Sequence, residues 1–528
     1  MPSRNKPEPL WLELVTVAAF CGFLFYYGLD AFGLVGADEP RYAQIAREML
    51  ARHDWVTPVL NGVAWLEKPV LYYWGAMVSY SIFGVSDWAA RVPSAVLATA
   101  MVFAAYVFMR RFRLGSQLDA ALIMASLAGI IGFARAASTD MPLTATFTIA
   151  MLAWYAWYET RRSLWLAGAY VFLAVATLAK GPVAPFLVAI IVLPFLILRR
   201  DWTALRLTLW VPGLLLYFAV ALPWYVLVQH ANPQFVHVFI LEHNLERYST
   251  NLFQHKQPFW YFIPVVLAGM VPWVVFAIAA LVRAIRESIA RRSSFELFFG
   301  LWAIVPVFFF SFSQSKLPGY ILPAIPAFAI LSAEYLWRRI EEGEEPSLWL
   351  AALHSLVGGA LLGAALLTVY FVWRLPIKPL AAFIAIFTAI AVFTGMLVAV
   401  YAKGLRTARF ATLAPVVLAL AFILKAASPA IDSKNSERPV AQALAPVAPP
   451  SMPVAVSDVP RVVEYGLNFY RDQPIANYQH GEVPAGAHVV VARAGAADAI
   501  STAAGGRKVV DIGSFPAQHL EFYMVTEK

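Results

Sequence analysis

The chain has little of what a soluble enzyme of its length carries. Only 14% of its 528 residues are charged, against 60% that are hydrophobic. A soluble domain is nearer one quarter charged, so a single water-soluble globule is excluded. Cysteine occurs once, as Cys21, and no disulfide can form within the chain. No internal repeat is evident, which speaks against a transporter built from inverted halves. The net charge of +8 does not point to nucleic acid, because the basic residues fall mostly in alternate short loops.

What is present is a series of apolar runs. They lie near 10–29, 88–109, 117–133, 142–158, 164–179, 182–198, 208–228, 259–281, 296–313, 318–337, 348–373, 377–401 and 410–427. That is about thirteen segments near spanning length. They lack strict alternation and so read as helices, not barrel strands. The first run follows Arg4 and Lys6 but lacks a small-x-small cleavage site with a polar domain behind it. It reads as a retained anchor, not a removed signal. The chain is expected to be an all-α polytopic membrane protein.

The loops carry the orientation. Arg110, Arg111 and Arg113 follow the second run, Arg161 and Arg162 the fourth, and Arg199, Arg200 and Arg206 the sixth. Arg283, Arg286, Arg291 and Arg292, then Arg338 and Arg339, then Lys403, Arg406 and Arg409 continue the alternation. Short basic loops stay in the cytoplasm. The N-terminus is therefore expected inside, and 30–87, 134–141, 229–258, 314–317 and the tail outside.

Two outer loops are rich in ionisable groups. In the first, residues 39–52 read as a helix, with Asp38 placed to cap it and Pro40 in its first turn. Residues 69–84 are apolar and aromatic but short for a span, so they are expected to lie along the interface. After Lys425 the character changes. Residues 439–453 hold Pro439, Pro446, Pro449, Pro450 and Pro453 and read as a linker. Short β-like runs at 454–456, 488–491, 509–512 and 522–525 alternate with helical patterns. They predict a small α/β domain within 429–528, outside the membrane, following a transmembrane domain over 1–428.

Charged groups near bilayer depth cost roughly 2.5–3.5 kcal/mol each on insertion scales, so those present tend to be functional. Asp38 and Glu39 are placed either to cap a helix or to serve as general base. Lys68, after Glu67, either anchors the interface or binds phosphate as a point charge. Asp140 either caps the fourth run or faces the site. His243 and Arg247 share a helix face if 242–247 is helical, and Arg247 suits a phosphate oxygen pair. Lys316 and Tyr320 lie in an outer turn, where Lys316 either snorkels or binds phosphate. Glu67, His243 and His255 could ligate a divalent metal such as Zn, Mg or Mn, although no HxxxH or HExxH spacing is present.

These stretches resemble a known family. Ala37-Asp-Glu-Pro-Arg-Tyr-Ala, Asn61-Gly62, Glu67-Lys68-Pro69 and Leu71-Tyr-Tyr-Trp look like the first periplasmic loop of bacterial aminoarabinose transferases. Those are GT-C glycosyltransferases, together with protein O-mannosyltransferases. The likeness continues at Ser138-Thr-Asp-Met-Pro, His243–Arg247, His255, Pro258-Phe-Trp and Lys316-Leu-Pro-Gly-Tyr, over most of residues 10–340. It implies a GT-C fold in a bacterial inner membrane and a sugar donor linked to undecaprenyl (polyprenyl) phosphate. It also implies transfer at the periplasmic face to a lipid or glycolipid acceptor such as lipid A, by a monomer. Asp38 matches the catalytic aspartate. Lys68, Arg247 and Tyr320 match residues that hold the carrier phosphate. Arg41, Tyr42 and Asp140 match other cavity residues, and Glu67 with a histidine matches a possible metal site. The tail has no detailed match, which leaves the acceptor open. Transfer to a protein hydroxyl is the competing reading, and a lipid-carrier transporter a more distant one.

Overall fold

The computed structural model describes residues 9–239, 257–290, 293–344, 347–373 and 378–527. Each apolar run falls mainly on helical backbone. Among the described residues, eight helices are long and apolar enough to cross a membrane, or ten if each of two bent pairs is one span. The pairs are Gln117–Ser126 with Ala128–Ala134, bent by 65°, and Phe259–Gly269 with Val274–Ile289, bent by 117°. Leu10–Tyr26 and Val183–Arg199 are shorter apolar helices. Asp140–Thr160 is 21 residues long, and most of its side chains are buried. The helices share one core, in which Phe147, Tyr155, Phe299 and Trp302 are buried.

Local chemistry sets the helix starts near the site. Ser86, in extended backbone, accepts from Ala89 N and opens the helix Asp87–Phe112. Asp38 does not cap its helix as expected. Ala37 holds the N-cap position with no side-chain bond, and Asp38 is the first residue of helix Asp38–Ala51. An acid there still suits the positive end of the helix dipole. Its carboxylate turns instead to Arg41, one turn on.

A small hairpin follows, with strands β1 (Val59–Leu60) and β2 (Val63–Ala64). Its two turn residues are left-handed, Asn61 at φ 54 and Gly62 at φ 77. That is the geometry an Asn-Gly turn favours. Glu48 accepts from Asn61 N at 2.9 Å and Gly62 N at 3.0 Å, fastening the hairpin to the first helix. Helix Leu71–Phe83 then buries Tyr72, Tyr73, Ala76, Met77 and Tyr80. With Tyr42, Ile45, Met49 and Leu66 these form a second core, separate from that of the bundle.

The tail is a five-stranded sheet flanked by helices. Strands β3 (Val454–Ser457), β4 (Ala476–Asn477) and β5 (His488–Arg493) run parallel. Strands β6 (Val509–Phe515) and β7 (Leu520–Val525) add antiparallel pairs, giving the order β4-β3-β5-β7-β6. The period of two divides the side chains of β5: Val489 and Val491 enter one core, Val490 and Ala492 the other. The expected linker is largely structured. Arg438–Leu444 is a helix whose Val440 and Leu444 are fully buried in the tail core, so its prolines bound a packed element.

The tail sits directly on the first loop. Phe469, from helix Arg461–Arg471, is buried in the core of that loop. Arg47 reaches Phe469 O at 2.9 Å and Asp472 at 3.1 Å. Asn468 donates to Asn61 at 2.8 Å. Asp87 accepts from Tyr470 at 2.7 Å and pairs with Arg438 at 2.9 Å. Gly33 N donates to Asp432 at 2.7 Å, and a Cβ at Gly33 would collide with Ser436 and the Tyr470 hydroxyl. Only glycine allows that approach.

Candidate active site

Two polar groups bear on Tyr42 in the first loop. The first is built on helix Asp38–Ala51. Asp38 accepts from Arg41 at 2.5 Å, and its side chain is 58% exposed while that of Arg41 is 11% exposed. The pair thus offers one open carboxylate held by a covered cation. Three rings surround the guanidinium: Trp65 at 4.9 Å, Tyr42 at 5.1 Å and Tyr465 at 5.4 Å to their centroids. Burial works against the Arg41 charge, but nearby Tyr42, Asp38 and Glu67 outweigh it and hold its pKa above the usual value. Burial, reinforced by Asp38, pushes the Tyr42 phenol up, so it stays protonated at any working pH. Tyr42, Tyr72 and Tyr73 pack ring to ring at about 6 Å.

The second group is built where three segments meet. Asp140 opens the helix Asp140–Thr160 and pairs with Lys180, the last residue of helix Ser163–Lys180. The Lys180 ammonium lies 5.4 Å from the Tyr320 ring centroid. Tyr320 stands in the short 3-10 helix Pro318–Ala324, whose Gly319 packs against the Asp140 carboxylate. A Cβ there would come within 2.5 Å of Asp140 Oδ1. Tyr42 joins the groups, because the charges of both Asp38 and Asp140 act on its phenol.

The expected site residues therefore separate. Asp38, Arg41, Tyr42 and Glu67 come together, and so do Asp140 and Tyr320. Lys68 is half-buried beside Glu67 at the end of the hairpin segment. Lys316 is turned inward: its ammonium donates to Ser313 O at 2.5 Å and Gln257 O at 3.0 Å, and it is 6% exposed. Arg247, His243 and His255 lie outside the described residues.

Glu39 departs from its expected catalytic place. It is 6% exposed and pairs with fully buried Arg91 at 2.6 Å. It also accepts from Val35 N at 2.8 Å and Ala137 N at 2.7 Å. Arg91 in turn donates to the carbonyls of Leu29, Phe32 and Gly33. Glu39 is thus a knot between the first loop, the second outer loop and helix Asp87–Phe112, with no face turned to a substrate. One helical step, about 100° of rotation, separates this buried carboxylate from the open one at Asp38.

Lys180 is a site residue the sequence reading passed over. It occupies a two-residue turn between runs five and six, where a lone cation looks like an ordinary helix end. The signal that could have found it is Lys-Gly-Pro between two apolar runs on the outer side. Gly181 is left-handed at φ 82, and Phe239 packs where its Cβ would be.

For a metal, Glu67 is the only described member of the expected ligand set. Among the described residues no group of three or more His, Cys, Asp or Glu side chains could hold a metal ion. The described residues do not by themselves fit a metal, and no step below runs through one.

Comparison with known proteins bears on the family and the fold. The dolichyl-phosphate-mannose-protein mannosyltransferase family matches residues 11–239. The undecaprenyl phosphate-alpha-4-amino-4-deoxy-L-arabinose arabinosyl transferase of Serratia proteamaculans is 33% identical over 338 residues, 61% of this chain and 58% of the relative. That named transferase 1 in Pseudomonas fluorescens is 30% identical over 373 residues, 70% of this chain and 67% of the relative. The chain thus spans roughly three fifths to two thirds of these relatives' length. The fold is that of the crystal structure of ArnT from Cupriavidus metallidurans bound to undecaprenyl phosphate, with a TM-score of 0.79 at 23% identity over 98% of each chain. Motifs, fold and sequence similarity converge, and the chain belongs to the family of aminoarabinose (arabinosyl) transferases.

Proposed function

We propose that the protein is a membrane glycosyltransferase that moves a sugar from a polyprenyl phosphate to a hydroxyl of a lipid acceptor, with inversion. Undecaprenyl phosphate and aminoarabinose are the carrier and sugar named for the relatives, and lipid A is the acceptor that suits them. The alternation of basic loops puts the site on the periplasmic face of a bacterial inner membrane, with the N-terminus cytoplasmic and the tail periplasmic.

The observation that carries the reading is Asp38, an open carboxylate fixed by a buried arginine beside a second, cation-bearing group. The acceptor oxygen bonds to the anomeric carbon as the bond from that carbon to the phosphate oxygen breaks. The electron pair leaves with the phosphate, and the hydroxyl proton passes to Asp38. A phosphate leaving group is a weak base and needs no second carboxyl to protonate it, unlike the alcohol in a glycosidase. It needs positive charge and donors where its own charge grows. Lys68, Tyr320 and Arg247 fill that role, with Lys180 holding Asp140 beside Tyr320. Glu39 acts as a positioning residue through Arg91.

The match to protein mannosyltransferases over 11–239 supports a second reading, transfer to a protein hydroxyl. Mass spectrometry of lipids and envelope proteins from cells with and without the protein separates the two. A gain of one aminosugar on lipid A supports the first reading, and a gain on proteins supports the second. Retention at the anomeric carbon would sink the single displacement.

A further inference from the structure

The tail adds one residue to the surroundings of Arg41. Tyr465 lies on helix Arg461–Arg471, and its ring is 5.4 Å from the Arg41 guanidinium. The other two rings around that cation, Tyr42 and Trp65, belong to the first loop. Arg41 is nearly covered, yet its buried Nε has no hydrogen-bond partner among the described residues. A buried guanidinium short of acceptors is stabilised by ring faces, which attract it through their quadrupole. The same guanidinium donates the 2.5 Å bond to Asp38. Orientation of the carboxylate therefore depends on the ring cage, and one wall of the cage comes from the tail.

We propose that Tyr465 is a positioning residue for transfer: it fixes Arg41, and through Arg41 it holds Asp38 at the angle at which it receives the acceptor proton. This rests on the reading of Asp38 as the general base. Docking of the helix does not rest on Tyr465 alone, although its ring also packs on the first-loop core. Arg47 with Asp472, Asn468 with Asn61, buried Phe469, and Tyr470 with Asp87 hold it independently. Replacing the ring thus opens the cage while the tail stays in place.

The test uses the full chain in detergent or nanodiscs and compares Tyr465→Leu with Tyr465→Phe. Phenylglyoxal labelling of Arg41, located by mass spectrometry, reads the cage without any substrate. Turnover of undecaprenyl phosphate-linked aminoarabinose with lipid A reads the chemistry. For Tyr465→Leu the expected result is faster labelling and a fall of about tenfold in kcat with the donor KM unchanged, a barrier change of about 1.4 kcal/mol. Tyr465→Phe keeps its ring face and should behave as the parent in both assays. Unchanged labelling in the Leu variant would overturn the cage, and faster labelling with parental kcat would overturn its link to transfer. Failure of the Phe variant to preserve kcat would show that the hydroxyl matters and not the ring. If Asp38→Asn retained full turnover, the general-base reading would fall on its own, while the labelling result would still report on the stacking.

Discussion

Asp38 and Glu39 are neighbours, both are carboxylates and both pair with arginine, yet their surroundings are opposite. The Asp38–Arg41 pair is made within one helical turn and leaves the carboxylate 58% exposed. The Glu39–Arg91 pair joins residues 52 apart in the chain, with side chains 8% and 2% exposed. Exposed ion pairs contribute at most about 1 kcal/mol, and the Asp38 end of the first pair is the exposed one, so that carboxylate can turn to a new partner at modest cost. A buried one loses about 3–5 kcal/mol when a partner is removed, because the survivor is left as an uncompensated charge. The contrast teaches that burial, not pairing, decides whether a carboxylate serves chemistry or architecture.

The comparison can be broken in order of effect. Asp38→Asn should cut turnover by about 10²–10⁴-fold, the usual contribution of a general base, while thermal unfolding and donor binding stay near parental values. A full turnover number in that variant would remove the role. Glu39→Gln should do the reverse, lowering stability by about 3–5 kcal/mol in a detergent unfolding assay, with Arg91→Met doing the same. Were either variant as stable as the parent, the knot between the loops would have to be carried by other contacts.

A third carboxylate sharpens the contrast, because it is buried with no paired cation among the described residues. Glu437 is 1% exposed, its Oε2 has no partner among the described residues, and burial pushes its pKa up to about 7. Its folded pKa is higher than its unfolded one, so folding favours the protonated form. The contribution is complete below about pH 4.5, the ordinary value, and is lost as pH rises through about 7. Stability of the tail should fall across that window by up to about 3 kcal/mol, at about 1.4 kcal/mol per pKa unit. Glu437→Gln should flatten the fall in a pH series of melting curves. The smallest effect is expected from Arg41→Lys. It keeps the positive charge but not the planar fork stacked among the rings, and should lower kcat through a less well aimed Asp38.

Much of this was legible in the sequence, for physical reasons. A polar loop among lipid-soluble helices stands out because charge at bilayer depth is costly, so Asp38, Arg41, Tyr42 and Glu67 were found together. The difference between Asp38 and Glu39 was not legible: adjacent acids look alike until the helix phase and the position of Arg91 are known. Lys180 was hidden by the shortness of its turn. Tyr465 was hidden by distance, since nothing local to 461–471 shows that its helix docks on residues 33–61. Four of the tail's five strands were visible through their β-branched and aromatic runs, whereas β4 (Ala476–Asn477) was too short to show and Arg438–Leu444 was masked by the prolines in and after it.

The bonds from the first loop to the tail also have a bearing on biogenesis. Gly33 to Asp432, Leu34 to Tyr470 and Asn468 to Asn61 span 399, 436 and 407 residues. Contacts so distant in the chain form late, and synthesis delivers the N-terminal part first. During synthesis the loop that carries Asp38 waits, with one wall missing, until the helix around residue 470 has been made. The ring cage around Arg41 is then completed by one of the last helices to be made, so a half-made chain lacks it.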